Sequence, residues 1–464
     1  LLEVDGRGRH DTLRVDGHAQ FDGQLTFAPQ PDWYATNWRL NTQDLLKTDA
    51  SDGNFSAVNS VLRSPTLTLQ TTPQGKNGWQ LSMLRASNAY SRYAQDANAR
   101  QVGQALDKIV AEAKSDIQPL YRTLDFSATD GGSISNALPQ LSAGAYSAMF
   151  ASSLQREQQI ARIVGGPNPV VMPKQLTEGE WRSFAIPFGG GFWQQRQSDS
   201  VGYDASSYGI VFGAEKQNDE NHNWMYGFHG AVSGQSVTVK SPETATGKTT
   251  AFDLGVHARY GAERSEGMYL FGTGRLGIED SWLDRNINVE TYGASHHATW
   301  TGLSGSVTAG GGYRWALNNN VNAGPVTSLN YTTLHRPGVK ESGNDGSRLM
   351  LGSQTFDSLR SSIGVNGNWN VPLASGASFA AELQLSWDHE LLDGNVVQHA
   401  SFANYRSTGF SSRNQVTGRD TLGVKAGMSY KINADVELGI GVESEMFRSG
   451  YDSIAGNLSA TWRF

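Results

Sequence analysis

The stretch Ser453-Ile454-Ala455-Gly456-Asn457-Leu458-Ser459-Ala460-Thr461-Trp462-Arg463-Phe464 alternates without a fault. Ile454, Gly456, Leu458, Ala460, Trp462 and Phe464 point one way, and Ser453, Ala455, Asn457, Ser459, Thr461 and Arg463 the other. A period of two is that of a β-strand with two unlike faces. The pattern repeats upstream. Leu438, Ile440 and Val442 oppose Glu437, Gly439 and Gly441, and Met446 continues the apolar row past Glu443 and Glu445. Leu422, Val424, Ala426, Met428 and Tyr430 oppose Gly423, Lys425, Gly427, Ser429 and Lys431. Phe379, Ala381, Leu383, Leu385 and Trp387 oppose Ala380, Glu382, Gln384, Ser386 and Asp388.

From 180 to 464 the pattern supports about twelve such strands. Connections alternate in length. Those at 318–320 and 433–435 are short; 281–304, 337–356 and 391–419 are long. Short turns on one side and long loops on the other suit a closed antiparallel barrel in an outer membrane. The apolar face would meet lipid and the charged face a wet lumen. Arg275, Arg360, Glu382, Lys425, Lys431, Glu437, Glu443, Glu445 and Arg463 are the expected lumen charges. Trp181, Trp193, Tyr203, Tyr226, Trp282, Trp315, Trp369, Trp387, Tyr451 and Trp462 stand near strand ends, where interfacial girdles form. The glycines at 310–312 would let the wall bend and an inner element approach.

Composition agrees. Of 464 residues, 53 are Gly, well above the usual share of about 7%. Hydrophobic residues are 38% and charged residues 17%. Mean hydropathy is −0.43, compatible with strands that are apolar on one face only. No run reaches the length of a membrane-spanning helix. The net charge of −7 argues against nucleic acid as a partner. With no Cys, disulfides, thiol nucleophiles and Cys-based metal sites are excluded. The chain starts at Leu1 with no Met or signal peptide, and reads as a mature or truncated piece of something longer.

Residues 1–95 are strand-like. Leu2-Glu3-Val4-Asp5-Gly6 recurs as Leu13-Arg14-Val15-Asp16-Gly17, with a related Phe21-Asp22-Gly23 after it. Short strands ended by Asp-Gly about every ten residues suggest rungs of a short β-solenoid, with a plain hairpin as the alternative. Residues 96–179 are a helical linker. Val102, Leu106, Ile109, Val110 and Ala113 mark one face at helical spacing. A second helix, about 141–164, is thin in its first half (Ala143, Ala145, Ser147, Ala148, Ala151). Gln155, Arg156, Glu157, Gln158 and Arg162 make its second half polar nearly all round, which suits a wet, narrow enclosure. The Gly-Gly-Pro-Asn-Pro run at 165–169 stops it.

Together these parts resemble the C-terminal region of a classical autotransporter, the type Va secretion family. Ala143-Gly144-Ala145-Tyr146-Ser147 resembles its small-residue helix before the barrel, Gly202-Tyr203-Asp204 its first hairpin, and Gly450-Tyr451-Asp452-Ser453 its closing strand. The resemblance implies a mainly all-β chain: a passenger stem (1–95), a linker with a pore helix (96–179), and a twelve-stranded outer-membrane barrel (180–464). It implies a translocator that exports and anchors an N-terminal passenger at the surface of a Gram-negative cell. It implies lipid and lipopolysaccharide, the barrel-assembly machinery, periplasmic chaperones and its own passenger as partners, and a monomer. Leu458, Ala460, Trp462 and Phe464 would be the assembly signal. Some members cut the passenger free at paired Asn residues in the helix; from 140 to 165 there is no Asn, so retention or cutting upstream is expected.

No cofactor, metal or catalytic residue is expected, and any enzymatic activity would lie in the passenger. Gly272-Thr273-Gly274-Arg275-Leu276-Gly277 matches a dinucleotide fingerprint but sits inside a strand with no helix after it. His296-His297 read as loop histidines, and Asp388-His389-Glu390 splits between two faces. The competing classes are a surface adhesin anchor and an outer-membrane barrel hydrolase, for which no nucleophile-elbow motif is present.

Overall fold

The computed structural model describes all residues except 43–44, 76–77, 167–180, 198–200, 219–222, 262–265, 374–376, 434, 449 and 464, and the side chain of Arg463. Twelve antiparallel strands close into one barrel. They are β1 (Trp181–Gln194), β2 (Tyr203–Gln217), β3 (Trp224–Val239), β4 (Thr244–Tyr260), β5 (Gly267–Val289) and β6 (Tyr292–Ala316). Then come β7 (Val321–Arg336), β8 (Gln354–Pro372), β9 (Ser378–Glu390), β10 (Asp420–Lys431), β11 (Val436–Met446) and β12 (Tyr451–Arg463). β12 closes on β1, from Tyr451 opposite Gln194 to Arg463 opposite Arg182. Closure leaves no open edge in the lipid. No helix among the described residues is long and apolar enough to cross a membrane.

The alternation sets the faces. Leu438, Ile440 and Val442 are exposed, while Glu437 and Glu445 are buried. Trp193, Tyr226, Trp315, Trp369, Trp387 and Trp462 are exposed on the outer wall. Tyr203 and Tyr451 correct the girdle reading: both are buried inside. They share parity with Ala205 and Ala455, which also face inward. Parity, not nearness to a strand end, decides direction.

The stretch 281–304 is not a loop. β5 and β6 run on as one hairpin to Val289 opposite Tyr292. Their 23 and 25 residues are more than twice the ~9–11 that a tilted strand needs to span a bilayer. Past the lipid the polarity inverts. Leu283, Ile287 and Val289 point inward and are buried. The histidines are therefore on a strand: His296 is buried against Ser347 (2.8 Å) and His297 pairs outside with Asp284 (2.6 Å). The other two long connections also fold. Val339–Lys340, Leu349–Leu351, Asn395–Phe402 and Gly409–Gln415 form a four-stranded sheet over the mouth.

Three helices sit under that sheet: α1 (Ala97–Ile109), α2 (Gln118–Asp125) and α3 (Gly132–Gln140). Asp96 caps α1 by accepting from the Ala99 N–H at 2.7 Å, and Val102, Leu106 and Ile109 are buried. Asn98 exchanges hydrogen bonds with the Arg413 backbone at 2.8 Å each way. One apolar core runs from Ala89 and Tyr90 through these helices into the loop sheet and the upper barrel.

The first region is not clearly a solenoid. It holds two small parallel sheets and one antiparallel sheet. The Asp-Gly copies do not stack at ten-residue spacing. Leu13 pairs with Leu46, and Gln24 with Ala57, each 33 residues further along. Arg85 and Asp125 tie this region to α2 at 2.5 Å, both buried. Tyr90 donates to the same carboxylate at 2.7 Å. Burial, with Asp125 beside it, holds the Tyr90 hydroxyl well above its usual pKa, so it stays a donor.

Candidate functional site: the barrel lumen and its helix

A fourth helix, α4 (Gly144–Val164), lies inside the barrel. Its 21 residues make it on the order of 30 Å long, the thickness of a bilayer core. Every residue of it except Arg162 is buried. Small residues let it enter. A side chain at Gly144 would stand 2.9 Å from Val201, and one at Gly247 on the wall would stand 2.6 Å from the Met149 sulfur. The wall therefore yields at Gly247. The glycines at 310–312 instead make room for the rings of Tyr269 and Phe271 and for neighbouring backbone.

The polar residues of α4 meet the wall one by one. Arg156 pairs with Glu279 on β5 and with Glu157 beside it (2.9 Å), and reaches Gln235 on β3 at 3.4 Å. Glu157 accepts from Arg275 on β5 at 2.6 Å. Gln158 accepts from Arg360 on β8 at 2.9 Å. Arg162 grips Glu443 on β11 with two bonds (2.9 and 3.0 Å) and touches Glu445 at 3.3 Å. Arg360 also holds Asp388 (3.0 Å) and Glu445 (2.8 Å). Gln155 is buried with no hydrogen-bond partner among the described residues. The second half of α4 is not polar all round: Ile160, Ile163 and Val164 pack on Phe184, Ile186 and Phe188 of β1.

Not every expected lumen charge meets the helix. Glu382 accepts from Asn366 at 2.7 Å, and Lys431 faces Glu437 across the β10–β11 hairpin near its short turn. Lys425 lines a cavity of about 120 Å³ beside α4, with Arg162, Arg360, Asp388, Glu443 and Glu445. It is polar and roomy enough for water. The Arg463 side chain and Phe464 lie outside the described residues. Leu458 and Trp462 are exposed on the outer wall, and Ala460 pairs with Leu438 and Ala185.

Several lumen residues were not singled out from the sequence. Glu279 and Arg285 share the inward parity of Arg275, so that signal was available. So do Asp253, His257 and Arg259 on β4. Arg259 donates to the Val164 carbonyl at 2.8 Å and pairs with Glu215, which Arg182 also holds. A cation at a helix C-terminus is favourable. At the other end Tyr146 donates to Glu341 (3.0 Å), itself gripped by Arg285 at 2.9 and 2.6 Å. Glu341 comes from a long connection and gave no signal. Among the described residues no cluster of three or more His, Asp or Glu could hold a metal.

A closed twelve-stranded wall surrounds a threaded helix. The family model for the autotransporter β-domain matches residues 184–443. The chain belongs to that family. Its barrel is an outer-membrane translocator for passenger export, a transport barrel and not a catalytic one. Among solved structures it is similar to the translocator domain of the autotransporter NalP from Neisseria meningitidis. Identity there is 14% and the TM-score 0.54, over 70% of this chain and 100% of that one. It also matches the β-domain of the Bordetella autotransporter BrkA, with 16% identity and a TM-score of 0.44, over 61% of this chain and 98% of that one. The transport unit of AIDA-I from Escherichia coli aligns at 11% identity and a TM-score of 0.42, over 68% and 99%. No curated protein matches the sequence.

Proposed function

We propose that the translocator keeps its passenger attached at the cell surface, with α4 as the resting seal of the pore. The enclosure of α4 along its whole length carries this reading. The chain ahead of it supports the same direction, because α1 and the following turns bond to the long connections, which lie on the outer side in such barrels. Residues 1–95 are then an external stem that helps the passenger fold, and any enzymatic activity belongs to that passenger. With no Asn in α4, release inside the pore by the Asn-pair route is absent, and cutting upstream or permanent display takes its place. The chain works as a monomer. Periplasmic chaperones deliver it, and the assembly machinery reads Leu458, Ala460, Trp462 and Phe464 by pairing with the strand edge.

An epitope tag before Leu1 tests the orientation. Proteinase K should remove it on intact cells. Protection until lysis would put the amino end in the periplasm and overturn the reading. Phe464→Ser should lower the amount of folded barrel in the membrane; unchanged yield would remove the terminal aromatic from the signal.

A further inference from the structure

The lower half of α4 sits off centre. Ile160, Ile163 and Val164 press it against β1. On its far side Ser328, Ser362, Ser386 and Gly423 keep the wall of β7–β10 low, and the cavity of about 120 Å³ lies between them and the helix, down to Gly165 and Gly166. Three cations line it (Arg162, Arg360, Lys425) and three carboxylates (Asp388, Glu443, Glu445), so the formal charges cancel. The two arginines are spent on these carboxylates. Four other groups are not spent. Gln158 gives its carbonyl oxygen to Arg360 at 2.9 Å, but its Nε2 has no partner among the described residues. Lys425 has no ion pair among them. One Glu445 oxygen serves Arg162 and Arg360, at 3.3 and 2.8 Å, while Oε2 is unpartnered, and so is the Gln384 Oε1. Gln158 is 3% exposed and Glu445 6%, so neither finds its missing partner in bulk water. Gln384, Lys425 and Glu443 stand in one row of the ladder, and Glu445 stands in the next, across from Gly423.

Two donors and two acceptors are thus left facing one neutral space, large enough for several waters or one small organic molecule. An ion of a single sign would leave a charge uncompensated there, which is costly. A molecule that carries both signs would not. Its carboxylate meets Lys425 and the Gln158 Nε2, and its ammonium meets the Glu445 Oε2 and the Gln384 Oε1. Hydrogen bonds to ionised groups are about twice as strong as neutral ones, which favours such a molecule over water. We propose that this cavity binds one small zwitterion, a free amino acid, against the docked helix. Gln158 belongs to α4 and the other three groups to the wall, so the site is complete only with the helix in place. It does not depend on the direction of export or on the passenger.

The test is equilibrium dialysis of the whole chain, purified in mild detergent, against radiolabelled L-alanine. Wild type should take up the label saturably. Unlabelled L-alanine should displace it at least about tenfold better than propionate or ethylamine, which each keep only one of its two charges. Lys425→Met should weaken binding about tenfold, the scale of one lost charge-assisted hydrogen bond. Ser328→Leu, which fills the space from β7, should abolish it. Unchanged heat-modifiable migration shows that each variant is folded. No saturable uptake by folded wild type would mean that the cavity holds water only. Displacement by propionate or ethylamine as effective as by L-alanine would make it a site for a single-sign ion. Folded Lys425→Met and Ser328→Leu chains that bind like wild type would place the amino acid elsewhere. Each of these three results overturns the site.

Discussion

The two halves of α4 are held in different ways. From Gly144 to Leu154 the helix belongs to the large core shared by the collar helices, the loop sheet and the upper wall. Tyr146 meets Trp300 at 5.7 Å and Phe150 meets Phe356 at 6.5 Å. From Gln155 to Val164 only one side is apolar, and the rest is bound by charges from β5, β8 and β11. Close packing is strong but non-directional. Buried ion pairs add little net stability yet punish the loss of one partner. The upper half thus supplies the affinity that keeps the helix in place. The lower half fixes its rotation and depth, beside a cavity that can hold water.

The most severe break removes the helix. Deleting residues 140–165 should raise single-channel conductance in planar bilayers several-fold, and an unchanged conductance would mean that α4 does not seal the pore. Next comes Arg156→Met, which leaves the Glu279 carboxylate buried without its cation. A cost of about 3–5 kcal/mol is expected, seen as an open probability raised by about two to four orders of magnitude. Adding Glu279→Gln should recover part of it, because Glu157 keeps Arg275 at 2.6 Å. Failure of that second change to help would show that Arg156 acts through packing instead. Leu154→Ala, in the other half, should cost about 2–5 kcal/mol through the cavity it leaves. Its effect should not change with salt, and a strong salt dependence would contradict an apolar origin.

Strand number, closure and wall orientation could be read from the sequence because lipid enforces a period of two over every span. The upper hairpin could not. Past the bilayer the outward residues of β5 become Asp280, Asp284, Asn286 and Asn288, while Leu283, Ile287 and Val289 turn inward onto the collar. The solvent on each face has changed, so the apolar row jumps sides and looks like a loop. The helix partners divide similarly. Arg275 and Glu443 lie on regular strands whose parity shows the lumen face, whereas Glu341 lies in a connection where parity means nothing. In the first region the parallel pairings join residues 25 to 33 positions apart, far longer than the ten-residue spacing of the Asp-Gly copies, so those copies pointed to the wrong stacking.

The weakest expected effect separates the two modes most cleanly. Arg162 is the one residue of α4 that is not buried; its side chain keeps 33% of its surface open to the cavity. Without it, Glu445 still has Arg360 at 2.8 Å, and Glu443 still faces Lys425 across the β10–β11 ladder. Neither carboxylate is stranded as Glu279 would be without Arg156. Arg162→Met should therefore cost no more than about 1 kcal/mol, the scale of a solvated pair. That cost should fade between low salt and 1 M, where the screening length is about 3 Å. Open probability measured across that salt range decides the matter. A loss as large and as salt-independent as that of Leu154→Ala would mean that the lower half is as dry as the upper, and the contrast between the halves would disappear.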